Sequence, residues 1–281
     1  MAKTTSRDSW ISAETERKES DFRGILGMHV NICKGIMRRR PGHPYLYADL
    51  YAGPGHLEYK GKQFPGSPLI AQDLLVRANI PYEAVHFEQD GEVAERLQSA
   101  LYSEPGALFG GPDATNSPVY NESFESGFPR WLRGNGAQAR RLGLVYADPI
   151  KDEIPHALFN QCARLLPQVD LLSYVSATQY KRRRGSELRL KGETDKPLFS
   201  DHVSAVNKRI ALIREPGGPW QWTFVLWSNW VDMPEWQSHG FYRLNSSKGQ
   251  RILDRLDLTD AQQREKAQDP LFPASGAGDA A

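Results

Sequence analysis

The sequence predicts an α/β protein built on a doubly wound, mainly parallel, seven-stranded sheet that ends in an antiparallel hairpin. Three observations carry this. Strand-like apolar runs alternate with helical patterns through most of the chain, the order expected of βαβ units. Two of those runs stop at tight-turn chemistry beside an acidic residue, Asp49 before Ala52-Gly-Pro-Gly55 and Asp148 before Pro149. The last two strands follow each other directly across Glu215-Pro-Gly-Gly-Pro219, so they must pair antiparallel.

Taken in order, Phe22, Ile25, Leu26, His29, Ile32, Cys33 and Ile36 recur at helical spacing, predicting one long amphipathic helix over 14–39 that Pro41 closes. Residues 45–51 read as the first strand. A short polar loop follows, and Ser67-Pro68 opens the next helix. Residues 84–88 are the second strand, with a helix over 91–101. Residues 106–118 have loop composition, 119–124 form a short strand, and a weaker helical pattern surrounds Trp131. Residues 142–148, 155–166 and 169–177 read as strand, helix and strand, and 203–208 as a helix. Strands over 209–214 and 221–228 make the hairpin, and 247–256 a last helix. The expected organisation is a mobile segment over 1–13, one domain with an N-terminal helical extension over 14–257, and a flexible tail over 258–281.

The 281 residues include 35 Lys and Arg against 34 Asp and Glu, for a net charge of +1. With 40% hydrophobic residues, this is globular rather than disordered composition. The near-neutral total excludes a generally basic coat but leaves room for a local basic patch. Two cysteines, Cys33 and Cys162, make neither a disulfide framework nor a zinc site and are expected to be buried and inert. Nothing approaches the ~20 apolar residues of a membrane span, and the start is not signal-like, which gives an expected cytoplasmic location.

Asp49-Leu-Tyr-Ala-Gly-Pro-Gly55 is the strongest chemical element. In a doubly wound sheet, ligands sit beyond the carboxyl ends of the strands, and Gly53 and Gly55 let backbone approach one closely. No Lys-Ser/Thr pair follows as in a P-loop, and Glu58 stands where a dinucleotide fingerprint needs its third glycine. Glu88 ends the second strand, where a carboxylate can take both hydroxyls of a ribose. The two elements together read as a nucleoside-binding pair. A purely structural turn and a solvated carboxylate are the alternatives.

Asp49 to Gly55 resembles the first motif of class I S-adenosylmethionine-dependent methyltransferases, in the form common among DNA adenine methyltransferases. With Gly66-Ser-Pro-Leu-Ile-Ala71 downstream, the chain is similar to the three-Cys-motif partner (TcmP-like) family, a prokaryotic and phage-associated methyltransferase-like group. The resemblance runs over roughly residues 18 to 256. It implies a class I methyltransferase fold with S-adenosyl-L-methionine as cofactor. Asp49, Tyr51, Gly53 and Gly55 would line its methionine end, Glu88 would hold the ribose, and Glu122 would lie beside the adenine. Lys18 matches a lysine near the methionine carboxylate, although helix lysines are commonly just solvated. The resemblance makes Asp148 and Pro149 the catalytic pair, accepting hydrogen bonds from a target amine on a flipped base. Ile150 and Lys151 stand where amino-methyltransferases carry a second proline and an aromatic. Asp-Pro also serves as a plain strand stop.

Two further features point to the substrate. Residues 181–191 hold six cations, with Lys181, Arg182, Arg183 and Arg184 in sequence, against one acid, Glu187. As a loop at the carboxyl edge, they suit phosphate contacts, and they suit a solvated face equally. Arg38-Arg-Arg40 is either a second phosphate contact or a complement to its helix dipole. Five of the seven tryptophans lie between 220 and 236; most suit packing, while Trp230 and Trp236 suit base stacking. His29, on the apolar helix face, reads as a core histidine, and no metal constellation appears. The reading is a methyltransferase on nucleic acid, DNA adenine N6 first, with a partner protein conceivable from the family and no membrane association. A protein or small-molecule methyltransferase, or a catalytically silent binding module, are its alternatives.

Overall fold

The computed structural model describes residues 12–103, 117–135, 140–149, 154–191, 195, 197–217, 221–232, 236–258 and 262–264. Ile150, Lys151 and Trp220, most of the 106–118 loop, and nearly all of both terminal segments lie outside them.

The chain begins with α1 (Ala13–Arg39), then β1 (Tyr45–Asp49), β2 (His56–Tyr59), β3 (Lys62–Pro65), α2 (Ser67–Ala78), β4 (Tyr82–Phe87), α3 (Gly91–Ser103) and β5 (Val119–Tyr120). It continues with α4 (Phe124–Asn135), β6 (Gly143–Ala147), α5 (His156–Leu165), β7 (Val169–Ser176) and α6 (Ala177–Lys191). Then come α7 (Phe199–Ser204), β8 (Ile210–Arg214), β9 (Trp222–Ser228), a 3₁₀ turn (Trp236–His239), β10 (Phe241–Arg243) and α8 (Ser247–Asp257). The main sheet has eight strands in the order β10-β8-β9-β7-β6-β1-β4-β5. β5, β4, β1, β6 and β7 run parallel, whereas β9 inserts antiparallel between β7 and β8. This is the architecture of class I methyltransferases.

Strand parity sorts the side chains into two cores. Tyr45 and Tyr47 of β1 point toward α1 and α2, joining Phe22, Ile25, Ile70, Tyr146 and Leu172. Leu46 and Ala48 point the other way, into a layer with Phe128, Phe159, Val203 and Leu253 from α4, α5, α7 and α8. β1, β6 and β7 are buried along their whole length, as central parallel strands are. Cys33 and Cys162 are free and buried, and burial pushes the Cys162 thiol up to about 12. His29 is buried too, with Nδ1 2.7 Å from the Tyr45 hydroxyl.

Several expectations are corrected. The eighth strand is β10, too short to show a period of its own. The polar loop after β1 is a hairpin whose Lys60 and Gly61 both take positive φ, the geometry of a two-residue turn that twists with its strands. β5 has two residues rather than six, because Phe124 already starts α4. The helix expected over 203–208 lies four residues earlier, since Asp257 caps it through the Phe199 and Ser200 N–H groups at 2.7 and 3.1 Å. Most consequentially, the cationic stretch 181–191 is not a loop but the body of α6. Arg, Lys, Leu and Glu are all good helix formers, and a run of charge does not oppose the helix. Among the described residues, no helix is long and apolar enough to cross a membrane.

Candidate functional site

Beyond the carboxyl ends of β1, β4 and β6 lies a cleft of about 280 Å³, closed on one side by α1. Lys18, Tyr51, Gly53, Gly55, Glu88, Asp148 and Pro149 all line it. Residues singled out along 130 positions of sequence therefore meet at one place.

The glycine turn depends on Asp49, which lies behind the cleft rather than in its wall. Asp49 is fully buried; Oδ2 accepts from the Tyr47 hydroxyl at 2.8 Å and Oδ1 from the Tyr51 N–H at 3.2 Å. Burial pushes its carboxyl up to about 6, against the opposing hydrogen bonds from Ser67, Tyr47 and Tyr51. Asp49 thus anchors the start of the turn. Gly53, at φ 67°, has open space where a Cβ would be, whereas Gly55, at φ 82°, has Leu97 and Ala100 of α3 at 3.1 Å from that position. One glycine keeps the cleft open, and the other lets α3 pack.

Glu88 is tied to the same turn. The Gly53 N–H donates to Oε2 at 3.1 Å and the Asp90 N–H to Oε1 at 2.9 Å. Both oxygens are thereby held in place at the wall of the cleft. Glu122 is elsewhere: it pairs with Arg130 and does not line the cleft. Its neighbour Asn121 holds the end of β4 instead, donating to the Glu88 and Gln89 carbonyls at 3.2 Å.

Lys18 reaches from α1 to Asp148, and its Nζ also lies 3.0 Å from Glu19 Oε1. Burial works against the cation, but Asp148 and Glu19 outweigh it and hold the pKa above the ordinary lysine range. Burial raises Glu19 to about 7 in spite of Lys18. Glu19 Oε2 and the Tyr146 hydroxyl are buried near this pair without a hydrogen-bond partner among the described residues. The arrangement holds a cation, an anchored carboxylate and a second carboxylate around one space.

Residue-type reasoning missed the aromatic wall. Tyr174 of β7 and Trp222 of β9 line the cleft with their rings stacked at 5.0 Å and 6°. The register Ser176↔Trp222 makes them diagonal neighbours across an antiparallel pair. Knowing that β9 pairs with β7 would have exposed the pair. Gln179 and Arg96 complete the rim.

The substrate-contact residues are redistributed. Lys181 donates to the carbonyls of Arg255 and Leu258 at 2.7 and 2.9 Å, so it fastens α6 to the end of α8. Arg182, Arg183 and Arg184 lie on the same helix. Trp236 is buried against Phe241 and is no stacking platform. Trp230 stands at the opposite edge of the sheet, past the end of β9, and lines a different cavity. Among the described residues, no group of three or more His, Cys, Asp or Glu is placed to hold a metal ion.

Fold and cleft together define an α/β protein of class I methyltransferase architecture. No protein-family model matches the chain, and no curated protein matches it. Among solved structures, it is similar to protein LPL1258 of Legionella pneumophila at 12% identity, covering 82% of this chain and 90% of that one, with a TM-score of 0.48. It is similar to the human methyltransferase 10 domain containing protein at 10% identity, over 75% and 83%, with a TM-score of 0.44. The N-terminal domain of human METTL16, solved in complex with SAH, is similar at 10% identity over 72% and 67%, with a TM-score of 0.39.

Proposed function

We propose that the chain is an S-adenosyl-L-methionine-dependent methyltransferase that acts on a base amine of nucleic acid. The convergence of Lys18, the Gly53–Gly55 turn, Glu88 and Asp148 on one cleft carries this reading. The residues fit the cofactor: Gly53, at positive φ with open space in place of a Cβ, leaves backbone open to a ligand, and the Glu88 carboxylate is anchored on the turn's own N–H. Glu88 would take the ribose hydroxyls. Lys18 has three donors, two of them directed to Asp148 and Glu19, leaving one for the methionine carboxylate. When bound, the cofactor supplies an electrophilic methyl group.

The chain's part is orientation. Asp148 accepts a hydrogen bond from the target N–H and turns the nitrogen lone pair toward the cofactor side of the cleft, a gain by proximity and fixed charge. The stacked Tyr174 and Trp222 offer a flat apolar surface beside Asp148. They supply the aromatic that the Asp-Pro motif lacks. Trp222→Ala is expected to cut methyl transfer about tenfold, within the range for loss of one base–aromatic stack.

The test is transfer of labelled methyl from S-adenosylmethionine to DNA, RNA and protein of one host, assayed on each separately. Label in nucleic acid, lost in Asp148→Ala, is the expected result, with adenine N6 of DNA the first position assayed. Label in protein alone would end the nucleic-acid reading and leave the methyltransferase. Activity that appears only on adding a host fraction would identify the partner protein.

A further inference from the structure

A second cavity, of about 670 Å³, opens at the other end of the sheet, between the C-terminal half of α1, the turn entering β7 and the turn leaving β9. α1 joins the two places. Lys18 lies in the first cleft and Arg39 on the rim of the second, about 30 Å away along a helix that rises ~1.5 Å per residue.

The rim gathers Arg39 and Arg40 from α1, Arg209 from the approach to β8, and Trp230 from beyond β9. All four are exposed, Trp230 by 37%. Among the described residues, Arg40 and Arg209 make no side-chain ion pair, and Arg39 Nε donates only to the Gly35 carbonyl of its own helix, at 3.1 Å. The carboxylate in the cleft, Asp170, is buried on the floor and turned to His29 Nε2 at 3.2 Å. It does not neutralise the rim. Three guanidinium groups and one indole thus face solvent around a concave space, brought together from three distant parts of the sequence.

We propose that this cleft binds a single-stranded nucleic-acid segment, with its phosphates on Arg39, Arg40 and Arg209 and one unstacked base on Trp230. Guanidinium forks match phosphate oxygens bidentately, and an indole face accepts any base. A duplex keeps its bases stacked and cannot use the indole. The cleft would hold a polymer well away from Asp148, so its binding needs neither S-adenosylmethionine nor methyl transfer.

The test is fluorescence anisotropy of an end-labelled single-stranded 12-mer with the full chain, without cofactor, across a salt series. Trp230→Ala is expected to weaken binding about tenfold and Trp230→Phe to restore most of it. Arg40→Gln with Arg209→Gln should lower the slope of log K against log salt by about 1.4, two single-strand phosphate contacts at ~0.7 each. Melting curves confirm that these surface variants fold. Binding that the cleft variants leave unchanged, but that Arg182→Gln with Arg183→Gln abolishes, would move the strand to α6 and overturn the proposal. Adenosine monophosphate binding as tightly as the 12-mer would overturn it too, making the cleft a mononucleotide site.

Discussion

Lys18 sits between two carboxylates with its side chain only 12% exposed, and this single contact sets the electrostatics of the cleft. Of these two carboxylates, Glu19 is the one that burial raises. Its ordinary value is 4.5, and burial holds it at about 7. The folded chain therefore binds this proton more tightly than the unfolded chain does. The favourable contribution is complete below about 4.5, is lost as pH rises through 4.5 to 7, and is absent above that. Glu19→Gln removes the titration. Relative to the parent, its stability is expected to rise by about 3 kcal/mol between pH 4.5 and 8, taking ~1.4 kcal/mol per pKa unit. Urea melts of both chains across that range check it, and parallel curves would show that Glu19 does not titrate there. Lys18→Met acts in the opposite sense. It leaves Asp148 and Glu19 facing each other without a cation, and breaking a partly buried pair in this way costs roughly 3 kcal/mol at pH 8.

At the scale of elements, the turn after β1 shows what the sequence makes legible. Gly53 and Gly55 announce a turn because no other residue takes φ of 67° and 82° without strain. Their separate duties emerge only with α3 in place, since Leu97 and Ala100 crowd Gly55 and nothing crowds Gly53. Gly55→Ala is expected to destabilise the chain by about 1–3 kcal/mol from backbone strain, before any contact with α3 is counted. Gly53→Ala should carry the same φ penalty and a reduced cofactor affinity, its methyl projecting into the cleft. Thermal melts alone would then separate the two poorly, whereas calorimetric titration with S-adenosylmethionine would distinguish them. β1, β4, β6, β7 and α1 were legible because each carries a sustained apolar pattern, whereas the two-residue β5 does not. α6 was not, because a helix with so little apolar surface has no period, and its charge looks like loop chemistry. The β2–β3 hairpin hid behind Lys60-Gly61, a turn pair in which Lys stands where Asn or Asp would be the usual sign. The Tyr174–Trp222 wall was illegible for a different reason. Their stacking follows from β9 inserting next to β7, and strand order is a long-range property that no local pattern encodes.

For the whole molecule, the net charge of +1 conceals a separation of charge along one helix. The N-terminal part of α1 brings Glu14, Lys18 and Glu19 to the first cleft, and its C-terminal end brings Arg39 and Arg40 to the second. A ligand in the first cleft touches both α1 and the strand ends of β1, β4 and β6, groups that are adjacent only when the chain is folded. Its binding therefore adds to folding stability by RT ln(1 + [L]/Kd), about 2.7 kcal/mol at a hundredfold excess over Kd. For a chain of this size, about 2 °C per kcal/mol gives a rise in Tm of roughly 5 °C with S-adenosylmethionine. Asp49→Ala should lose most of that shift, because without its carboxylate the Tyr51 N–H no longer anchors the turn. Trp230→Ala should keep it, since the second cleft lies about 30 Å away along α1 and distant sites act independently. The absence of any shift in the parent chain would remove the cofactor reading. A shift lost equally in Trp230→Ala would show instead that α1 couples the two clefts, so that a change at one end of the helix alters what is bound at the other.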